Sequence, residues 1–295
     1  MENLTYDGLN SINLDTFFDN YVHNIHKVDN RLDEYIKDPT EKNIHDIRTS
    51  IRRLEASYIA SPKQIRKAKI IEYIEKSKNL FKINSQIRDF DIILEKLTKE
   101  GHLTIQRLEL FEKSIKKNRN KELKDAISVA CDLREIDIPN IDKYRNHYDP
   151  FLLQKKLTKR YTKVVTKFAS QIRENIPIII NNSERIEELH QVRKDTKKLR
   201  YLLELMLNNR HKIDGNVGKN NETDKNNYSN EQNIWNQIEK LKEIQDMLGN
   251  IHDYDITIAF LKQYDQQENF VTAMNIEMQR KNKYEQFIRY YESTF

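Results

Sequence analysis

Two short motifs each occur twice in this chain, in the same order, and that repetition restricts its architecture more than any other feature. HDIRTSIRRL begins at His45 and HQVRKDTKKL at His190; both read His-x-(Ile/Val)-Arg-x-x-x-basic-basic-Leu. IRDFDIILEKL from Ile87 and IHDYDITIAFL from Ile251 both read Ile-basic-Asp-aromatic-Asp-Ile. Ordered repetition of this kind marks an internal duplication, so two copies of one unit are expected. His45 and Asp89 are 44 residues apart, whereas His190 and Asp253 are 63 apart. The difference falls in the Asn- and Gly-rich stretch 208–233, which reads as a flexible loop inserted in the second copy.

The repeated unit is expected to be helical. Only 5 Gly and 5 Pro occur in 295 residues, and 33% of the chain is charged, a mixture that favours long amphipathic helices over sheets. Periodicity and breaker residues place helices at 13–37, 41–60, 63–83, 86–99 and 103–135, then at 150–176, 183–209, 232–247, 250–265 and 267–293. Residues 1–12 read as an N-terminal extension, 13–135 as a first bundle, 136–149 as a connector and 150–295 as a second bundle. Ser61-Pro62, Gly101 and Pro177 are taken as helix ends, and Gly249 as a close approach or a helix junction, with Ser85 as its counterpart. The tyrosines and phenylalanines fall mostly at core spacings, and Trp235 and Cys131 are also expected in the core.

Each copy of the first motif carries two stripes. Ile44, Ile47, Ile51, Leu54 and Tyr58 face a core, as do Leu189, Val192, Thr196, Leu199 and Leu203. Beside them run His45, Arg48 and Arg52, and again His190, Arg193, Lys197 and Arg200. Basic groups stacked one turn apart repel one another, so carboxylates or a bound polyanion should offset the cost. Arg suits phosphate because its planar fork donates two hydrogen bonds at once. Lys156, Lys159, Lys163 and Lys167 form a further basic row, which reads equally as a binding surface or a solvated face.

The Asp-x-Asp pairs do not make a metal site, because positions two apart on a helix diverge. Asp89 and Asp253 are better placed to hydrogen-bond and orient the basic side chains of the neighbouring motif helix, while Asp91 and Asp255 read as surface or ion-paired residues. Tyr201, next to the second stripe, takes a core or hydrogen-bonding role.

LHQVRKDTKKLRYLLEL (189–205), HDIRTSIRRL (45–54), IRDFDIIL (87–94) and IQDMLGNIHDYD (244–255) resemble the signature segments of the CHAD family, the conserved histidine α-helical domain. The resemblance runs from about residue 13 to 293. It implies an all-α fold of two pseudo-twofold-related antiparallel helical bundles around a basic central groove or pore. It also implies non-catalytic binding of inorganic polyphosphate there. The residues that match are His45, Arg48, Arg52 and Arg53 in the first motif and His190, Arg193, Lys197, Lys198 and Arg200 in the second; Arg88, Lys156, Lys159 and Lys163 complete the expected site. No Glu-x-Glu-x-Lys strand motif of a triphosphate tunnel domain occurs, so a stand-alone member is expected.

Other functions are weighed against that one. With 51 Lys and Arg against 46 Asp and Glu the net charge is only +5, so nucleic acid is the second reading and rests on where the charge sits. No Gly-rich phosphate loop or carboxylate cluster points to phosphoryl chemistry, and no cofactor is expected. A protein-binding scaffold has no positive support. The lone Cys131, the absence of a signal peptide and of any apolar run of membrane-spanning length predict a cytoplasmic protein without a membrane partner, associated with polyphosphate granules.

Overall fold

The computed structural model describes residues 12–101, 103–207, 225–263 and 270–294. Among them the chain is helical throughout: α1 Leu14–Lys37, α2 Glu41–Ala60, α3 Ala68–Glu100, α4 Ile105–Arg134, α5 Pro150–Asn181, α6 Ile186–Glu204, α7 Lys225–Leu261 and α8 Phe270–Thr294. Helix starts follow local chemistry. Asn13, Thr40, Thr104 and Asp149 are N-caps whose side chains accept from backbone amides three residues on, and Pro150 occupies the first position of α5.

Helices adjacent in sequence pack together except α4 and α5, and α2 meets α6 while α3 meets α7 across the two halves. One hydrophobic cluster contains residues of all eight helices, among them Phe17, Ile47, Leu80, Ala130, Leu157, Leu199, Ile244 and Phe287. A second cluster joins α3, α4, α7 and α8, with the rings of Phe111 and Phe260 edge to face at 5.8 Å. The expected core stripes of α2 and α6 are buried, Tyr58 alone being half-exposed.

Four expectations are corrected. α3 runs unbroken through residues 84 and 85, because Tyr35 donates to Asn84 at 3.0 Å and Ser85 bonds back to the Phe81 carbonyl at 2.8 Å. α7 likewise runs through Gly249, so no junction forms there. α5 continues past Pro177, since Ile176 and Ile179 are buried and the Tyr284 hydroxyl donates to the carbonyls of Ile179 and Ile180, holding the last turn. Cys131 is exposed, on the side of α4 away from buried Ala126, Ala130 and Leu133. Of the expected loop at 208–233, residues 225–233 are helical and 208–224 lie outside the described residues, as do 1–11 of the expected extension. Ile12 is buried.

Candidate functional site

Where α2, α3, α6 and α7 meet they enclose a cavity of about 940 Å³. Matched positions of the two motif copies line it in pairs: Arg48 with Arg193, Arg52 with Lys197, Arg88 with His252, and Asp89 with Asp253. The pairing extends to Ser85 with Gly249 and Gln86 with Asn250. Nine lysines and arginines line the cavity against four carboxylates. A Cβ on Gly249 would meet Arg193 Nε at 3.7 Å, an ordinary contact, so the glycine gives width to the cavity rather than relieving a clash.

Arg48 Nε and Arg193 Nε are both buried, and neither has a hydrogen-bond partner among the described residues. A buried donor without a partner costs about 1–3 kcal/mol, and more when charged, and an acceptor held in the cavity, water or ligand, would offset that cost. Asp89 and Asp253 sit close enough to act on these guanidiniums through their charge, yet form no ion pair with them within 4 Å. They lessen the repulsion without saturating the donors. That differs from the direct hydrogen bonds expected of them.

Other cations are steered by the walls. Arg52 lies over the Phe81 ring at 4.8 Å, with Arg48 at 5.7 Å, and Lys198 lies over Phe168 at 5.3 Å. Arg52 also donates to the Tyr201 hydroxyl. The Tyr201 ring is itself held by Arg200 at 4.2 Å and Arg53 at 5.7 Å, and both arginines pair with Glu204, at 2.5 and 2.9 Å.

Burial and mutual repulsion shift the titration of the whole cluster. Burial, then the Arg52 charge, pushes Arg48 down to about 10, and Arg193 is lowered by burial as well. Lys197, buried beside Arg52, Arg193 and Arg48, falls to about 6, and His252 to about 3. Burial raises Asp253 to about 6. The consequence for stability has a definite sign. Lys197 gives up its proton on folding at pH values between about 6 and its ordinary 10.5, so the unfolded chain binds more protons there and stability rises with pH. His252 acts in the same direction between about 3 and 6.5, and Asp253 in the opposite one between 3.8 and about 6. In phosphate-free buffer the unfolding midpoint should therefore climb between pH 6.5 and 9, and Lys197→Met should flatten the climb. A wild-type midpoint constant over that range would refute the assignment to Lys197.

The cavity holds His45, Arg48, Arg52, Arg88, Arg193, Lys197 and Lys198 of the expected site, with Asp89, Asp253 and Tyr201. Others lie elsewhere. Arg53 and Arg200 turn to Glu204 behind Tyr201. Lys156, Lys159 and Lys163 are exposed on α5 outside the cavity, because Leu153, Leu157, Tyr161 and Val164 take the inward face. His190 lines a separate cavity of about 580 Å³, with its Nε2 3.4 Å from Asp255 and its ring stacked on His252 at 4.2 Å. The histidine that reaches the central cavity from the second half is thus His252. Its signal was present, since the repeat aligns it with Arg88. Lys78, Lys82, Lys194, Phe81 and Phe168 also line the cavity and were not foreseen. The second aspartates of the Asp-x-Asp pairs are ion-paired in both halves, Asp91 with Arg119 at 2.6 Å and Asp255 with Arg280.

Comparison with known proteins bears on the fold and the family. The sequence model of the CHAD domain matches residues 23–209. Among solved structures, the crystal structure of the CHAD domain from the plant Ricinus communis aligns with a TM-score of 0.51 at 14% identity, over 92% of this chain and 85% of that one. A search of curated proteins found no match. No described helix is long and apolar enough to cross a membrane. With a family match over more than half its length and the same helical fold, the chain belongs to the CHAD domain family.

Proposed function

We propose that the central cavity binds inorganic polyphosphate without chemical change to it. The observation that carries this reading is the pair of buried guanidinium nitrogens of Arg48 and Arg193, one from each motif copy and both without a partner among the described residues, in a cavity lined by nine lysines and arginines and four carboxylates. Phosphate oxygens would accept from both Nε groups, and Arg52, Arg88 and Lys198 would add charge along a polymer whose own charge repeats. Family membership supports the polymer over a single phosphate. No group of three or more His, Cys, Asp or Glu suited to a metal ion occurs among the described residues, and the mechanism invoked needs none.

Nucleic acid carries the same phosphate charge but also needs its bases accommodated. The two phenylalanines of the cavity are already covered by Arg52 and Lys198, which withholds those ring faces from base stacking. Titration with long-chain polyphosphate, RNA and single-stranded DNA at matched phosphate and salt is expected to give tighter binding to polyphosphate. Its affinity should fall steeply with salt as counterions cease to be released. Equal affinity for the three polymers would reduce the site to a nonspecific basic surface, and no polyphosphate binding at physiological salt would remove the proposal.

A further inference from the structure

Lys197 is set apart from the other lysines of the cavity. Lys78, Lys82 and Lys194 are exposed, and Lys78 is 3.5 Å from the Glu55 carboxylate. Lys198 lies over Phe168. Lys197 is half-buried, has no ion pair or hydrogen bond among the described residues, and faces the charges of Arg48 and Arg52 from α2 and of Arg193 from its own helix. Asp253 on α7 is the carboxylate that acts on it, and it does so more weakly than the three guanidiniums.

An amine in such surroundings has the properties of a nucleophile. Cationic neighbours disfavour its protonated form, so the free lone pair is present near neutral pH, and the same neighbours attract an anionic electrophile toward it. The cavity is also wide enough for an aromatic or sugar-sized molecule, with apolar wall from Ile59, Ile92 and Leu202. We propose that Lys197 is a modification site at which small phosphate esters bearing an aldehyde condense to an imine. The phosphate group engages Arg48 and Arg193, and the Lys197 nitrogen adds to the carbonyl carbon. A carbon–nitrogen double bond forms as the carbonyl oxygen leaves as water, with no oxidant or reductant involved. The phosphate contacts rest on the anion-binding reading of the cavity; the amine chemistry rests on Lys197 itself.

The test uses the intact protein and pyridoxal 5′-phosphate as probe, followed by borohydride reduction and peptide mapping. Labelling is expected first at Lys197, at least tenfold faster than with pyridoxal lacking the phosphate, and absent in Lys197→Arg that circular dichroism shows to be folded. Prior addition of polyphosphate should block it. Label distributed over Lys78, Lys82 and Lys194 with Lys197 untouched would overturn the inference, and would leave the polyphosphate reading intact wherever direct titration still shows binding. Label at Lys197 that polyphosphate does not block would uphold the modification site and count against polyphosphate as occupant of the cavity.

Discussion

Arg48→Ala and Arg193→Ala should each weaken polyphosphate binding by about ten- to hundredfold while leaving the ligand-free protein no less stable than the wild type. The affinity loss follows from removing charge-assisted hydrogen bonds worth about 1.5–3 kcal/mol, against 1.4 kcal/mol per decade of affinity. The stability expectation is the less familiar half. Each guanidinium carries a buried Nε with no partner and sits among other cations, so the folded, empty protein gains little from it and bears its desolvation. Truncation removes that burden together with the binding group, as with other residues retained for function at the expense of stability. The double variant should bind more weakly than either single one, and less weakly than simple addition predicts, because both groups contact one polymer. Isothermal titration paired with urea unfolding measures both halves. Affinities within twofold of wild type would dismiss these residues as the site, and a loss of several kcal/mol in stability would show them to be structural.

Arg280→Leu is expected to have the largest effect on stability of any single change at the ion pairs. Arg280 and Asp255 leave only 8% and 4% of their side chains exposed, and Arg280 also donates to the Ser183 carbonyl at 2.8 Å, tying α8 to the turn before α6. Removing the cation leaves a buried carboxylate to His190, which costs about 3–5 kcal/mol. Removing both partners, in Asp255→Leu with Arg280→Leu, should recover much of that loss, since the pair offsets its own desolvation only in part. Arg119 is 21% exposed in the equivalent pair with Asp91, so Arg119→Leu should cost less. Denaturant unfolding of these three variants and of Asp255→Leu alone checks the order. A double variant as unstable as the sum of the singles would contradict the buried-pair account.

The helical class, most helix starts and the core stripes could be read from the chain because they depend on local periodicity and capping residues such as Thr40 and Asp149. Helix continuity could not. Asn84, Ser85, Pro177 and Gly249 are local breakers that lie within helices, and partners distant in sequence hold two of these places: Tyr35 for Asn84, Tyr284 for the turn after Pro177. The site divides in the same way. Arg48, Arg52, Arg193 and Lys197 were legible because repetition picked them out. Arg53 and Arg200 share their helices and their charge, but point to Glu204, whose position depends on how α2 meets α6. His190 matched the motif by type, yet the stacking of His252 on it settled which ring faces the cavity, and that depends on tertiary packing. The lysine row of α5 shows the limit of charge alone as a signal, because nothing about its spacing distinguishes a solvated face from a binding one.

The hydrogen bonds that tie the start of α1 down have a consequence for how the protein is made. The Leu14 amide donates to Gln154, 140 residues further along, and the Asn20 side chain donates to the carbonyls of Leu205 and Leu207, 185 and 187 residues away. A ribosome adding about 5–20 residues per second needs on the order of ten to forty seconds to supply those partners. For that interval the nascent first half has its own copy of each motif and no opposite wall. α1 is therefore fully anchored only after α6 has been made, and the chamber between the halves comes into being only when synthesis is well into α7.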